Sequence, residues 1–380
     1  MAPSSVSSAT SVVASFSRTG AHLARSAPFV SFLLVLGACA SPSAHTPTRA
    51  AARASCTFAN PLGKGADPWI VRRGGTYYLA QSGGRGITIY RSDDLTQPER
   101  NGVRIWTAPD TGWNRSNVWA PELHWLDGHW YVYYAAGRAG PPFLHQRAGV
   151  LESVTDDPQG AYVDRGMLYT GDSIATRAHP YWAIDLTVGR IGGQLYAFWS
   201  GWTGDATTDR TPQHLYVARM ANPYTVATNR VLLSSPDASW ERGTELDLQE
   251  GPELLAHGND TFLVYSARES WLRAYRLGQL RLRAPHANPL APASWVKSGP
   301  VFAGTDSVFG VGHASFTTSP DGAESWIAYH AKVSTAPGWD RVLRMQRFGW
   351  KPDGAPDFGT PVADGVAIAA PSGSPAEACR

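Results

Sequence analysis

The stretch from Gln249 to Leu255 carries residues suited to acid–base chemistry. Glu250 precedes a Gly-Pro corner, and an apolar segment that predicts a buried strand follows it. Burial disfavours the charged form of a carboxyl group and raises its pKa, which gives Glu250 the character of a general acid near neutral pH. Glu253 is the rival acid, but three positions along a regular strand would turn its side chain to the opposite face. A structural Glu in a turn is the alternative that this stretch alone leaves open.

Four other polar residues stand before apolar strands in the same way. The complete set comprises Asp67, Glu122, Asp185, Glu250 and His313. Successive members are 55, 63, 65 and 63 residues apart. After each one come a Gly- or Asp-rich turn, an aromatic strand and a third strand. A steady period of this kind is typical of repeat architectures.

The repeated unit predicts an all-β fold, a five-bladed β-propeller. The 380-residue chain leaves about 325 residues after residue 55, which is enough for five blades of about 65 residues. Because the first strand of each blade lines the central channel of a propeller, the five polar residues should converge on one site. A β-sandwich is the alternative, but it does not explain a polar residue at the start of every unit.

Converging carboxyl groups favour glycoside hydrolysis. That reaction needs one protonated and one ionised carboxyl group on opposite sides of the scissile bond. A third carboxylate can raise the pKa of the acid through like-charge repulsion. Metal binding is the other use for two Asp, two Glu and one His. The sequence contains no His-Glu-x-x-His, phosphate-loop or Gly-x-Ser-x-Gly pattern, which argues against the corresponding enzyme classes.

The beginning of the chain predicts export. Residues 1–39 have the pattern of a signal peptide, with an apolar run from Phe29 to Ala38 that is too short to span a bilayer stably. The run ends at Cys39, which resembles the lipidated cysteine of a bacterial lipoprotein; plain secretion is the alternative. Residues 40–55 predict a disordered tether. We therefore expect a secreted or cell-surface protein of the bacterial envelope, with a lipid anchor at Cys39 as its membrane contact.

Residues 56–380 are expected to form the catalytic domain. Cys56 and Cys379 flank this region, and in an oxidising compartment they predict a disulfide bond that joins its two ends. Mobile ends without a bond are the alternative. The formal net charge of +2 and the lack of a basic run argue against nucleic acid as a partner.

Five motifs at these positions resemble glycoside hydrolase family 43, whose members are five-bladed propellers that act on arabinose- and xylose-containing polysaccharides. The motifs lie between residues 60 and 361, in the order and spacing of the family. They are Ala66-Asp67-Pro68, Trp119-Ala120-Pro121-Glu122, Ala183-Ile184-Asp185, Glu250-Gly251-Pro252 and Gly312-His313-Ala314-Ser315.

The resemblance implies a role for each of the three acids. Asp67 would be the general base, Glu250 the general acid, and Asp185 the residue that raises the pKa of Glu250 and orients it. Since the family inverts the anomeric centre, the carboxyl groups of Asp67 and Glu250 should lie about 6.5–9.5 Å apart. Glu122 is not one of the three acids and is expected to be a supporting residue.

The resemblance also implies binding residues. Arg341 would contact a substrate hydroxyl, with a structural arginine as the alternative. His313 resembles a channel histidine that binds calcium through water molecules, with a core histidine without metal as the alternative. The reaction itself would require no cofactor, and Ca²⁺ in the central channel would be structural. Trp119 is expected to form a wall for the bound sugar, or else to pack between blades.

The resemblance favours an α-L-arabinofuranosidase acting on plant-type arabinan or arabinoxylan. Many β-xylosidases of the family carry an appended β-sandwich, which is not expected here after the fifth blade. Leu186 and Ala314 replace the Gly and Asn that related members often have beside the third-blade Asp and the channel His, and both are expected to shape the floor of the pocket. A β-xylosidase, an endo-arabinanase and a non-catalytic glycan-binding propeller are the alternatives.

Overall fold

The computed structural model describes residues 56–375. The predicted signal peptide, the anchor at Cys39, the tether and Cys379 lie outside this range. Within it, the regular structure is β-strand apart from one turn of 3₁₀-helix, Pro292–Ser294. No helix in the described part of the chain has the length and apolar character needed to cross a bilayer.

Residues 56–375 contain five antiparallel sheets of four or five strands, which confirms the predicted propeller. Two short strands precede them, β1 (Thr57–Phe58) and β2 (Gly63–Lys64). Blade 1 comprises β3 (Trp69–Arg73), β4 (Thr76–Ala80), β5 (Gly86–Ser92) and β6 (Val103–Thr107). Blade 2 comprises β7 (Ser116–Leu126), β8 (His129–Gly137), β9 (Arg147–Ser153) and β10 (Tyr162–Met167).

The other three blades follow the same order. Blade 3 comprises β11 (Ala183–Ile191), β12 (Gln194–Gly201), β13 (His214–Asn222), β14 (Thr225–Val226) and β15 (Val231–Ser234). Blade 4 comprises β16 (Gln249–His257), β17 (Asp260–Ala267), β18 (Arg276–Leu282) and β19 (Trp295–Ala303). Blade 5 comprises β20 (Phe309–Thr318), β21 (Ser325–Lys332), β22 (Arg341–Trp350) and β23 (Pro356–Asp357); β24 (Ile368–Ala369) follows it.

The first strands of the blades form the inner ring of the propeller. Strand β3 contacts β7, β7 contacts β11, β11 contacts β16, β16 contacts β20, and β20 contacts β3 again. Any side chain that these strands turn inward therefore faces side chains from blades far away in sequence. This ring positions the candidate site.

The beginning of the described chain closes the last blade. Strand β2 pairs with β22, with Gly63 opposite Leu343, and so becomes the outer strand of blade 5. The Asn60 side chain supports this closure, since it donates to the carbonyl of Met345 and accepts from its N–H at 2.8 and 3.0 Å. The sequence pattern did not indicate β2, because a strand of two residues shows no alternation.

The two ends of the described chain also lie side by side. Strand β1 pairs with β24, and the N–H of Ala370 donates to the carbonyl of Cys56 at 3.0 Å. Cys56 is disulfide-bonded. Because Cys379 lies outside the described residues, the Cys56–Cys379 pairing stays a prediction.

The inner strands share an irregularity that the sequence did not reveal. Each blade has at least one residue with a positive φ near the start of its inner strand, and five of these, one from each blade, are Asp67 (55°), Ala120 (41°), Asp185 (53°), Gly251 (54°) and His313 (46°). In β7, β11, β16 and β20 the pairing register shifts at this point. A β-bulge re-aims the side chains around it. Four of the five residues are not glycine, so each holds a left-handed conformation that costs about 1–2 kcal/mol.

Candidate active site

A cavity of about 1,110 Å³ opens on the inner ring and is lined by residues from all five blades. Six of the residues predicted for the site line it, namely Asp67, Trp119, Asp185, Glu250, His313 and Arg341. Glu122 and Glu253 are buried but do not line this cavity. The predicted convergence therefore holds for four of the five polar residues and is wrong for Glu122. The reason is the bulge, because Glu122 lies two positions after its bulge residue whereas Glu250 precedes its own.

Asp67 is held as an ionised carboxylate. Its Oδ1 accepts a hydrogen bond from a guanidinium nitrogen of Arg341 at 3.0 Å, and Nδ1 of His313 lies 3.2 Å from the same oxygen. Its Oδ2 accepts a hydrogen bond from Ser82 at 2.6 Å. Burial alone would raise the pKa of Asp67, but Arg341, His313 and His330 hold it well below its usual range. Asp67 thus has the charge state of a general base.

Two residues that the sequence analysis did not single out fix the position of Asp67. The N–H of Asp67 donates to Nδ1 of His330 at 3.1 Å, and burial lowers the pKa of His330 to about 3, so its ring is neutral. Ser82 also accepts the N–H of Ala120 at 2.8 Å and so links Asp67 to the bulge of blade 2. His330 interrupts the apolar run of β21, and that interruption was the available signal; Ser82 lies in a loop that offers none.

Glu250 and Asp185 form a buried pair of carboxyl groups. Burial, opposed by the hydroxyl of Tyr275 and reinforced by the charge of Asp67, raises the pKa of Glu250 to about 7. Burial and the charge of Glu250 raise the pKa of Asp185 well above its usual range. The N–H of Gly251 donates to Oδ2 of Asp185 at 3.0 Å, which ties Asp185 to the residue after Glu250. The pair therefore retains a proton near neutral pH.

The three predicted catalytic acids differ in their state of protonation. Burial is the largest cause of the raised pKa of both Glu250 and Asp185, and the repulsion between the two carboxyl groups adds to it; the expected role of Asp185 in raising the pKa of Glu250 stays a prediction. Since Asp67 is ionised while the pair retains a proton, one cavity offers both a proton acceptor and a proton donor. That is the combination that acid–base cleavage of a glycosidic bond needs.

The pKa directions predict the pH dependence of activity. The acid must be protonated and the base ionised, so kcat/KM should be highest between the low pKa of Asp67 and the pKa of about 7 of Glu250. Above that value kcat/KM should fall about tenfold per pH unit, because the protonated fraction of the acid falls by that factor. A kcat/KM profile from about pH 4 to about pH 9 checks this; activity that still rises between pH 7 and 9 contradicts it.

The predicted binding residues also have distinct environments. Arg341 lines the cavity, and one of its guanidinium nitrogens donates to Asp67; its contact with a substrate hydroxyl stays a prediction. Trp119 packs edge-on against Phe143, with ring centroids 4.9 Å apart, and lines the cavity as well. It therefore takes part in the packing of the blade, and its role as a wall for the bound sugar stays a prediction. Leu186 and Ala314 do not line the cavity but are buried in hydrophobic clusters, so the expectation that they shape its floor is wrong. Leu186 and Ala314 directly follow the bulge residues Asp185 and His313, and their side chains point away from the cavity.

His313 has few partners suited to a metal. Its Nδ1 faces Asp67, and burial lowers the pKa of the ring. Within residues 56–375, no group of three or more His, Cys, Asp or Glu side chains is placed to hold a metal ion. A cation held directly by side chains does not fit this part of the chain, and the water-mediated calcium stays a prediction.

A second pair of carboxyl groups lies buried between the inner strands. Oε2 of Glu122 lies 2.9 Å from Nε2 of His124, and burial lowers the pKa of His124 to about 3, so the ring is neutral. Glu253 lies 3.4 Å from the hydroxyl of Thr187. Burial raises the pKa of both Glu122 and Glu253 well above the usual range, and the charge of Glu253 adds to the shift of Glu122. This pair supports the inner ring in a partly protonated state.

Replacing Glu253 with Gln should make the protein more resistant to alkaline pH. Because the folded state binds the proton more tightly than the unfolded chain, the free energy of unfolding should fall as pH rises from about 5 to about 9. Glu253→Gln removes one of the carboxyl groups that cause this loss of stability. Its Tm should therefore exceed that of the unchanged protein near about pH 9. Thermal unfolding at several pH values measures this. If the Tm of Glu253→Gln and the Tm of the unchanged protein depended on pH in the same way, the raised pKa of Glu253 would be contradicted.

The control for that measurement is Glu241→Gln. Glu241 is fully buried but pairs with Lys297 at 2.9 Å and accepts a hydrogen bond from Tyr265 at 2.6 Å. Its loss should lower the Tm at every pH, because it removes a paired carboxylate.

The segment after β8 lines the cavity with residues 141–143. The N–H of Phe143 donates to Asp209 of blade 3 at 3.1 Å, and the carbonyl of Phe143 accepts a hydrogen bond from Trp182 at 2.7 Å. Trp182 stacks on Trp202 with ring centroids 4.4 Å apart. These bonds hold the segment around Phe143 against blade 3. The sequence alone did not indicate where this segment lies.

Comparison with known proteins relates the chain to one family. The sequence profile of glycosyl hydrolases family 43 matches residues 58–356. An extracellular exo-α-(1→5)-L-arabinofuranosidase of Streptomyces avermitilis is 37% identical over 355 residues, which cover 88% of this chain and 70% of that protein. α-L-Arabinofuranosidase 43 of Humicola insolens is 34% identical, over 79% of this chain and 62% of that protein. The crystal structure of an α-L-arabinofuranosidase from Lactobacillus brevis has a TM-score of 0.73 and 31% identity, covering 81% of this chain and 98% of that one.

Proposed function

The chain belongs to glycosyl hydrolase family 43 and is a glycoside hydrolase, and we propose that it is an inverting α-L-arabinofuranosidase. Its substrates are arabinan- or arabinoxylan-type glycans, from which it releases L-arabinofuranose. One observation carries the proposal: the same cavity holds the ionised carboxylate of Asp67 and the protonated pair of Glu250 and Asp185. The similarity to arabinofuranosidases over most of the chain supports the choice of sugar.

The proposed reaction moves two protons. Asp67 takes a proton from a water molecule as the water oxygen bonds to the anomeric carbon. Glu250 gives its proton to the glycosidic oxygen as the bond from that oxygen to the anomeric carbon breaks. The products are L-arabinofuranose of inverted anomeric configuration and a glycan with a free hydroxyl. Asp67 then loses a proton to solvent and Glu250 regains one.

The neighbouring residues support these two steps. Asp185 accepts the N–H of Gly251 and so fixes the backbone beside Glu250. Arg341 keeps Asp67 ionised through one guanidinium nitrogen and lines the cavity, where the guanidinium group binds a hydroxyl of the sugar. Trp119 covers one face of that sugar, because large aromatic side chains offer rigid apolar area for such contacts.

We also propose that the enzyme acts at chain ends or side branches. The segment around Phe143 supports this proposal, since it lines the cavity and is bonded to Asp209 and Trp182 of the next blade, where it would obstruct a polymer. An endo-acting enzyme needs an open groove on both sides of the scissile bond. Digestion of linear arabinan should therefore release arabinose from the start of the reaction, and early release of mixed oligosaccharides would indicate endo action.

The remaining expectations are proposals of the same kind. The proposed proton transfers use side chains of the chain itself and include no cofactor. Water-mediated binding of Ca²⁺ near His313 is checked by metal analysis of the purified protein. Export with a lipid anchor at Cys39 is checked by the mass of the mature N-terminus. A glycan is the partner proposed, and nucleic acid is not.

The deciding experiment is turnover of 4-nitrophenyl α-L-arabinofuranoside and 4-nitrophenyl β-D-xylopyranoside by the purified protein. Higher kcat/KM on the arabinoside, with the inverted anomer detected first by NMR, is the expected result. Higher kcat/KM on the xyloside would make the protein a β-xylosidase with the same acids. Saturable glycan binding without release of sugar from either compound or from arabinan would indicate a non-catalytic propeller.

A further inference from the structure

An exposed tryptophan stands at the edge of the cavity beside blades 4 and 5. Trp339 lies in the loop between β21 and β22, lines the cavity and is 57% exposed. Aromatic side chains on a cavity wall are typical of ligand contacts, and a tryptophan left this accessible has apolar area to offer. The proposed reaction gives Trp339 no role.

The position of Trp339 is fixed by Trp271. The N–H of Gly338 donates to the carbonyl of Trp271 at 2.9 Å, and the two indole rings lie 5.7 Å apart at 57°. Trp271 in turn donates to Glu245 at 3.2 Å, and the guanidinium of Arg210 lies 4.7 Å from its ring. The two tryptophans are thus a braced aromatic edge, which we call the tryptophan pair.

The tryptophan pair lies on the side of the proposed general acid. Trp271 directly follows Ser270, which lines the cavity together with Glu250 and lowers the pKa of its carboxyl group. A general acid protonates the oxygen of the leaving group, so the sugar beside Glu250 on this side is the leaving-group sugar. Trp119 belongs to the opposite side, because the residue after it is bonded through Ser82 to Asp67.

We propose that Trp339, braced by Trp271, binds the part of the glycan chain on the leaving-group side of the scissile bond. This inference rests on the proposed arabinofuranosidase function and names the substrate as an oligosaccharide or polymer. The cavity of about 1,110 Å³ is at the upper end of the range of pockets for drug-sized ligands, so it has room for more than one pentose. The indole face stacks on the apolar face of the second sugar, which favours longer substrates.

The test compares arabinotriose with free L-arabinose as ligands of the Trp339→Ala variant. The kcat/KM on arabinotriose should fall about tenfold, mainly through KM, because a stacked aromatic contact is lost. The inhibition constant of L-arabinose should stay within about twofold, because the free sugar occupies the other side of the scissile bond. Trp339→Phe should recover most of the loss. The matched control is Tyr224→Ala, an exposed aromatic residue outside the cavity lining, with no effect on either value.

Two results would overturn the inference while leaving the proposed function intact. One is an unchanged kcat/KM of Trp339→Ala on arabinotriose in a protein that cleaves arabinosides. The other is an equal weakening of arabinose inhibition and arabinotriose turnover, which would place Trp339 on the side of the released sugar. Absence of arabinoside turnover in the unchanged protein would overturn the proposed function and this inference together.

Discussion

Replacing Asp67 with Asn should lower kcat/KM about 10³-fold on every arabinoside, whatever its leaving group. The amide cannot take a proton from water, and water must be deprotonated in each case. The bond from Arg341 should survive, because the amide oxygen can take the place of Oδ1, whereas the amide NH2 group replaces the Oδ2 that accepts from Ser82. The measurement is kcat/KM on arabinotriose and on 4-nitrophenyl α-L-arabinofuranoside, with a Tm to establish folding.

Asp67→Asn should also change the pH dependence of the activity that remains. The charge of Asp67 contributes to the raised pKa of Glu250, so its removal should shift the alkaline limb of the residual activity to lower pH. Asp172→Asn is the control, because Asp172 pairs with Arg230 away from the cavity lining, and its kcat/KM should stay within about twofold. A loss below tenfold in a folded Asp67→Asn protein would remove Asp67 from the role of base.

The features of the fold that repeat in the sequence were the predictable ones. The period between Asp67, Asp185, Glu250 and His313 placed these residues on the inner strands, and they line one cavity. The pattern of apolar strands between turns was sufficient for this step, because a propeller needs only that each unit begin at the channel.

The local geometry was not predictable in the same way. A left-handed backbone at Asp67 or Asp185 leaves no trace in hydrophobic periodicity, since the residue type does not demand it. For that reason Glu122 was grouped with the site, although it lies on the far side of its bulge from the cavity. Glu253 was expected to face away from Glu250 because a regular strand alternates its side chains. The strand is not regular between these two residues, although Glu253 does lie away from the cavity.

Residues supplied by loops and by second strands were also missed. The missed residues that interact with the acids from outside the inner strands are Ser82, Tyr275 and His330. Their distance from the acids along the sequence does not indicate that they are close in space. Their effect is electrostatic. They help set which carboxyl group is ionised, and a sequence pattern does not contain that information.

Replacing Glu250 with Gln should produce a loss that depends on the leaving group. On arabinotriose kcat/KM should fall about 10³-fold, because a sugar alkoxide departs poorly without a proton. On 2,4-dinitrophenyl α-L-arabinofuranoside the loss should be about tenfold or less, because this phenolate needs little protonation. The alkaline limb should also disappear on the activated substrate, since the group with a pKa of about 7 is gone.

The matched control is Glu253→Gln, the same substitution at a buried glutamate three positions further along β16. It should leave both rates within about threefold, because Glu253 does not line the cavity. Equal losses on the two substrates in Glu250→Gln would mean that Glu250 positions the sugar without transferring a proton. A selective loss in Glu253→Gln would transfer the acid role to that residue. The ratio of the two losses therefore distinguishes the acid from its neighbour, which a single activity assay would not.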